Sequence, residues 1–124
     1  MALVNGTAST FDAAVQNGIT LVDFWAPWCG PCRAFSPIFE AAAARHPHVT
    51  FMKVNTDAEP SLAASFRIRS IPTLMAFRDG VPLFAQPGMM QAGDLDRLVT
   101  ALEQVNMDDV RAKIAAHEQG ARVA

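Results

Sequence analysis

Apolar positions along this chain follow two rhythms. Over Ile19-Thr20-Leu21-Val22-Asp23-Phe24-Trp25 they run almost without break and are rich in β-formers. That predicts a strand buried on both faces, as in a parallel sheet, and Ala26-Pro27 ends it. Before it, Thr10 to Gln16 predicts a helix. Ser9 and Thr10 are suitable N-caps, Asp12 completes a capping box with Ser9, and Asn17-Gly18 stops the helix. A second helix is predicted from Cys29 to His46. Pro31 is tolerated in its first turn, Phe35, Ile38, Phe39 and Ala42 recur at helical spacing, Pro37 should kink it and Pro47 closes it.

Val49 to Val54 predicts another buried strand, interrupted by Lys53 much as Asp23 interrupts the first. Strand, helix and strand make a right-handed βαβ unit. Glu59-Pro60 opens a short helix, Ser61 to Phe66, and Thr73 to Phe77 is a third strand. Asp79-Gly80 signals a tight turn into a fourth, Val81 to Gln86, which Pro82 and Pro87 mark as an edge. Asp94 is expected to cap an amphipathic helix whose stripe is Leu95, Leu98, Val99, Leu102 and Val105. Met107, Val110 and Ile114 continue a thinner stripe for a further turn or two, to about Glu118, with a frayed tail from Gly120. A short first strand is expected around Leu3-Val4. The pattern is α/β, with one domain over residues 1–105 and a helical extension and tail over 106–124.

Composition narrows the partners. The chain has 124 residues, 51% hydrophobic and 18% charged, which suits one folded domain and excludes an intrinsically disordered chain. A formal net charge of −2 supplies no basic field to collect nucleic acid or anionic lipid. No stretch approaches the roughly 18 consecutive apolar residues of a membrane span. Met1 to Asp12 has neither the basic start nor the apolar run of a signal peptide, so the expected location is cytoplasmic. Nothing in the sequence requires a dimer, and a monomer is the default expectation.

Two cysteines are too few for a disulfide-built scaffold, and their spacing moves attention to chemistry. Cys29-Gly30-Pro31-Cys32 follows a buried strand and opens a helix. Thiols at i and i+3 lie on one helix face, so a slight tightening of the turn suffices for a disulfide. The helix N-terminus favours the Cys29 thiolate, while Cys32, one turn in, should be more buried and less acidic. Cys29 is thus the expected nucleophile on a substrate disulfide and Cys32 the resolving thiol. Two plainer readings exist. A zinc site needs about four ligands and this motif gives two, while His46 and His48 flank a helix-ending proline and look like surface residues. A purely structural disulfide closing so short a loop would add little stability.

Asp23 and Lys53 each sit in an otherwise apolar strand. On neighbouring strands they would share a face beneath the start of the helix. Burial raises a carboxyl pKa and a nearby lysine lowers it, which describes a general base taking the Cys32 proton through a water. A buried structural ion pair is the alternative. Pro72, opening its strand, is trans on base rates alone.

The run Val22-Asp23-Phe24-Trp25-Ala26-Pro27-Trp28-Cys29-Gly30-Pro31-Cys32 resembles the active-site signature of the thioredoxin family. Arg69-Ser70-Ile71-Pro72-Thr73-Leu74, the Asp79-Gly80 turn and Gly88 resemble its later landmarks, in order, over about Phe11 to Val105. The resemblance implies a central mixed sheet of about five strands flanked by four helices. It implies a cis Pro72 facing the cysteines and an Ile71 backbone offered to an extended substrate segment. Trp28, Gly30, Pro31, Ile71, Pro72, Gly88 and Met89 would contact substrate, with Asp23 and Lys53 as the family's buried carboxylate and its lysine. The implied activity is reduction of protein disulfides, with no bound cofactor and with electrons from NADPH through a flavin-dependent thioredoxin reductase. Gly30-Pro31 is the dipeptide of the reducing branch, against an oxidase or isomerase on this scaffold.

Ser70 stands where the family often has glycine, and Pro87-Gly88-Met89-Met90 replaces smaller or branched residues. Pro87 removes a backbone donor beside the groove, and Met89 and Met90 either make the groove adaptable or pack locally. This loop and the C-terminal extension motivate an alternative, a binding or chaperone module of the same fold. Retention of both cysteines and Asp23 weighs against it, because binding alone needs none of them.

Overall fold

A computed structural model of the chain describes residues 3–123, with side chains described through residue 120. Its elements are β1 (Leu3–Asn5), α1 (Phe11–Val15), β2 (Ile19–Trp25), α2 (Gly30–Arg45), β3 (Thr50–Asn55), α3 (Pro60–Ser65), β4 (Thr73–Arg78), β5 (Val81–Pro87), α4 (Ala92–Glu103) and α5 (Met107–Val123). The strands form one sheet in the order β1-β3-β2-β4-β5. β3 runs parallel to both β1 and β2, while β2–β4 and β4–β5 are antiparallel. β2 is central and buried along its length except at Trp25, as its unbroken apolar run requires.

Side chains alternate across each strand, so the sheet has two cores. Leu21, Phe51, Leu74 and Ala76 pack on one face with Phe35 and Phe39 of α2 and Leu95, Val99 and Leu102 of α4. Val22, Phe24, Met52, Met75 and Phe77 pack on the other with Phe11 and Val15 of α1 and Leu62 of α3. Phe11, Phe24, Phe66 and Phe77 meet there with centroids 5.1–5.9 Å apart. By the same alternation Asp23 and Lys53 belong to the face that α2 covers.

Several boundaries differ from the sequence expectation. α4 starts at Ala92, not after an Asp94 cap; Gln91 is its N-cap and Asp94, at the third position, accepts the Gln91 N–H at 3.2 Å. The carboxylate thus caps from within the first turn, the second half of a capping box. At α1 the Ser9–Asp12 box does not form. Thr10 makes no side-chain cap bond, because its hydroxyl accepts the Thr7 N–H at 3.1 Å in a preceding hydroxyl-rich turn. α4 ends at Glu103, so Val105 lies past it. α5 runs through Gly120 to Val123 in place of the frayed tail, a lone glycine costing a helix only about 1 kcal/mol. Ala124 lies outside the described residues. α2 is continuous through Pro37.

The β4–β5 hairpin turns on Asp79 at φ 52° and Gly80 at φ 83°, the positive pair that a two-residue turn between twisted strands demands. Arg78 reaches from its base to the end of α4, donating to the Leu102 and Val105 carbonyls at 2.7 Å each. Asp79 accepts the Gly18 N–H at 2.9 Å and lies 3.5 Å from the Arg111 guanidinium of α5. No helix among the described residues is long and apolar enough to cross a membrane.

Candidate active site

β2 and β3 deliver their C-terminal ends to the side where α2 begins. The chain leaves β2 at Trp25 and turns through Pro27-Trp28, with the Cys29 N–H bonded to the Ala26 carbonyl at 3.2 Å. Cys29 is extended, at φ −84° and ψ 113°, and is the N-cap of α2. Its carbonyl accepts the Arg33 N–H at 3.1 Å and its sulfur accepts the Cys32 N–H at 3.2 Å. The sulfur occupies the place a serine hydroxyl takes in an ordinary cap. Gly30 leaves room at the first helical position and Pro31 loses a donor that had no partner there.

Cys29 and Cys32 are joined in a disulfide with their Cα atoms 5.2 Å apart. Cys29 is 5% exposed and Cys32 1%, so Cys29 is the more accessible residue of the two. Ala26, Trp25 and Ile71 pack around the pair, and the Ile71 carbonyl oxygen is 3.7 Å from Cys29 Sγ. The Ile71–Pro72 bond is cis. Gly88, at φ 96°, donates its N–H to the Pro72 carbonyl at 2.8 Å, which joins its loop to the proline segment.

Trp28 is 67% exposed, and its indole N–H donates to Asp57 at 2.9 Å. Trp28 and Ile71 line one cleft, with Arg69 and Ser70 on its wall. Met89 does not join them. It is half-exposed and lines a different cleft, between β5 and α4, with Phe84, Gln86 and Arg97. Met90 is buried in the core beneath α4.

Asp23 and Lys53 are register partners across β2 and β3, side by side as expected. They do not form an ion pair. Asp23 is fully buried and neither carboxyl oxygen has a protein partner among the described residues. Burial pushes its pKa up to about 7 from 3.8, against a smaller downward pull from the Lys53 charge. The Lys53 ammonium donates to the Ser36 hydroxyl at 2.6 Å and lies 3.5 Å from Glu40 and 4.9 Å from the centre of the Trp25 ring. Ser36 in turn donates to Glu40 at 2.6 Å. That bond, together with Lys53, holds Glu40 below the usual carboxylate range against a weaker desolvation effect.

Sequence reasoning missed Asp57, Ser36 and Glu40. Spacing could have found the last two, since Cys32, Ser36 and Glu40 follow at intervals of four on one helix stripe. Asp57 carries a weaker signal, a polar residue just past the C-terminal end of a parallel strand, where such sheets place their sites. His46 and His48 bond Asp96 and Glu103 and tie the end of α2 to α4. Among the described residues no group of three or more His, Cys, Asp or Glu side chains could hold a metal ion.

Two sulfurs at the N-terminus of one helix that can bond or part within a single turn perform thiol–disulfide exchange. On this mixed sheet that makes the protein a thiol–disulfide oxidoreductase of α/β class. The thioredoxin family model matches residues 2–104. The chain is 44% identical over 113 residues to putative thioredoxin 2 of Streptomyces coelicolor, covering 90% of this chain and 84% of that one. It is 41% identical over 100 residues to thioredoxin of Staphylococcus saprophyticus, covering 80% and 96%. With thioredoxin of Staphylococcus haemolyticus the identity is 46% over 84 residues, covering 67% and 81%. The chain belongs to the thioredoxin family and is a protein-disulfide reductase.

Proposed function

We propose that Cys29 and Cys32 divide the reaction between them, with Asp23 handling the proton. The Cys29 thiolate attacks one sulfur of a substrate disulfide. A mixed disulfide forms, and the other substrate sulfur leaves as a thiolate that takes up a proton. Cys32 passes its proton to Asp23 through a water and attacks Cys29 Sγ. The Cys29–Cys32 disulfide closes and the second substrate thiolate leaves. Two electrons pass to the substrate, and its two sulfurs take up two protons. The observation that carries this reading is the disulfide at the N-cap of α2, where Cys29 is the more exposed residue and Cys32 lies within the first turn, 1% exposed.

Trp28, Gly30, Pro31, Ile71, Pro72 and Gly88 form the substrate-contacting surface, with the Ile71 backbone pairing with an extended segment and Met89, in its separate cleft, left outside it. Trp28 and Ile71 lining one cleft supports the central part of that surface. Lys53 tunes the Asp23 proton affinity. The substrates are disulfide-containing proteins. NADPH supplies electrons through a thioredoxin reductase, and the redox centre is the cysteine pair itself. Residues 1–105 act as the catalytic domain and 106–124 as an extension, in a cytoplasmic monomer with no nucleic-acid or membrane partner.

The test is reduction of a protein disulfide with NADPH and a thioredoxin reductase. Wild-type protein should turn over, and Cys32→Ser should stall as a mixed disulfide on Cys29 that dithiothreitol releases. Cys29→Ser should form no adduct. An adduct on Cys32 in Cys29→Ser, with none on Cys29 in Cys32→Ser, would reverse the assigned roles. An Asp23→Asn variant whose resolution step keeps the wild-type rate from pH 6 to 9 would remove Asp23 from the mechanism.

A further inference from the structure

Two observations at the buried carboxyl do not fit a simple Asp23–Lys53 couple. The two residues are side by side in register, yet the lysine ammonium is spent elsewhere. It donates to Ser36, which donates to Glu40, and the same Glu40 oxygen lies 3.5 Å from the ammonium. The donors run in one direction, lysine to hydroxyl to carboxylate, so each link pairs a donor with an acceptor. Asp23 receives none of these bonds.

We propose that Ser36 and Glu40 are positioning residues that hold the Lys53 ammonium away from Asp23, and thereby set the proton affinity of the buried carboxyl. Glu40 also compensates the lysine charge, so that Asp23 meets a partly neutralised pair instead of a bare cation. A cation free to swing to Asp23 would hold it ionised at neutral pH and leave it a poor proton acceptor. Burial is what raises the Asp23 affinity, and the opposing pull of Lys53 is the smaller effect, as suits an ammonium engaged elsewhere. The inference deepens the proton-handling reading above and rests on it for its consequence, while its test does not use catalysis.

The groups bearing on Asp23 can be named element by element. β3 contributes Lys53. α2 contributes Glu40, behind Lys53, and the Cys29–Cys32 disulfide, which carries no titrating thiol when oxidised. β4 contributes its register partner Leu74, which is apolar. Glu59 lines the same cleft as Lys53 and Trp25, and its carboxylate accepts the Ala8 N–H at 2.7 Å.

The experiment is titration of the Asp23 side-chain carboxyl by carbon NMR in the oxidised full-length protein. Ser36→Ala removes the bridge without changing any charge. It should lower the Asp23 midpoint by on the order of one pH unit, and Ser36→Thr should restore it. Glu40→Gln should lower it as well. In a Lys53→Met background, Ser36→Ala should leave the midpoint where Lys53→Met alone puts it. The proposal is overturned if Ser36→Ala shifts the midpoint by less than about 0.2 unit, even if Glu40→Gln shifts it, because that pattern is plain through-space repulsion. It is equally overturned if Ser36→Ala acts fully in the Lys53→Met background. Failure of Asp23→Asn to slow resolution would sink the proton-handling reading and leave these midpoints unaffected.

Discussion

The two ends of the central strand β2 treat polar groups in opposite ways. At the Ile19 end, beside the β4–β5 hairpin, charged side chains are tied in. Asp79 takes up the Gly18 N–H, and Arg78 donates to the carbonyls of Leu102, in the last turn of α4, and of Val105, just past it. At the Trp25 end, Asp23 and the Trp25 indole N–H are buried without a protein partner among the described residues. The Thr20 hydroxyl, near the hairpin end, is also buried unpaired, but it is neutral and its desolvation is cheaper than that of a carboxylate. One end pairs its polar residues, and the other carries a buried carboxyl with no protein partner among the described residues, which costs stability wherever it is ionised.

The largest expected effect tests the site end. Unfolded Asp23 ionises near its ordinary value of 3.8, while the folded group holds its proton to about 7. Between those values the folded form binds the extra proton, so stability falls as pH rises, and above about 7 the loss is complete. A shift of about three units corresponds to at most about 4 kcal/mol. Oxidised Asp23→Asn should therefore be more stable than wild type at pH 8 by up to that amount, and nearly equal to it at pH 3. Urea unfolding at the two pH values measures both. A variant no more stable at pH 8 than at pH 3, relative to wild type, would remove the contrast between the two ends.

At the hairpin end the sign should reverse. Arg78→Ala strips a charged donor from the carbonyls at the end of α4, which should cost about 2 kcal/mol with reductase activity unchanged. Asp79→Ala loses the Gly18 hydrogen bond and puts alanine at positive φ, for about 1–2 kcal/mol. Chemical unfolding at pH 7 reads both. Asp57→Ala should act on the site alone. It releases the Trp28 indole and should raise the KM for a protein disulfide a few-fold with little change in stability.

How much of this was legible in the sequence divides along a similar line. The unbroken β-forming run Ile19–Trp25 predicts its strand at the observed limits, because burial on both faces leaves only one way to read it, whereas β3, β4 and β5 each run one residue past their predicted ends at Val54, Phe77 and Gln86. The Cys29-Gly30-Pro31-Cys32 turn was legible because its chemistry is local. Helix ends were less so, since a cap is decided by competing side chains such as Thr7 and Thr10, or Gln91 and Asp94. The pairing of Lys53 with Ser36 and Glu40 was missed because the register places Lys53 beside Asp23, and only the rotamer of a long side chain decides which carboxylate it serves. Met89 and Met90 looked alike in sequence, yet one is half-exposed and the other is core.

The smallest expected effect concerns α5, which begins beyond the family match at residue 104. Its described anchors are the buried Met107 and the Arg111–Asp79 pair at 3.5 Å, with the Arg111 side chain about half exposed. An exposed pair at that separation is screened by solvent and salt and contributes well under 1 kcal/mol. Arg111→Ala should therefore change stability by no more than about 0.5 kcal/mol. Arg78→Ala, on the neighbouring residue of the hairpin, should cost several times more because its partners are carbonyls that lose a charged donor at a helix end. Equal effects of the two variants, measured together at 0.05 and 0.5 M salt, would show that α5 is held mainly by charge. A difference that persists at both salt concentrations places the weight on Arg78 and makes the extension a passenger of the α4 cap.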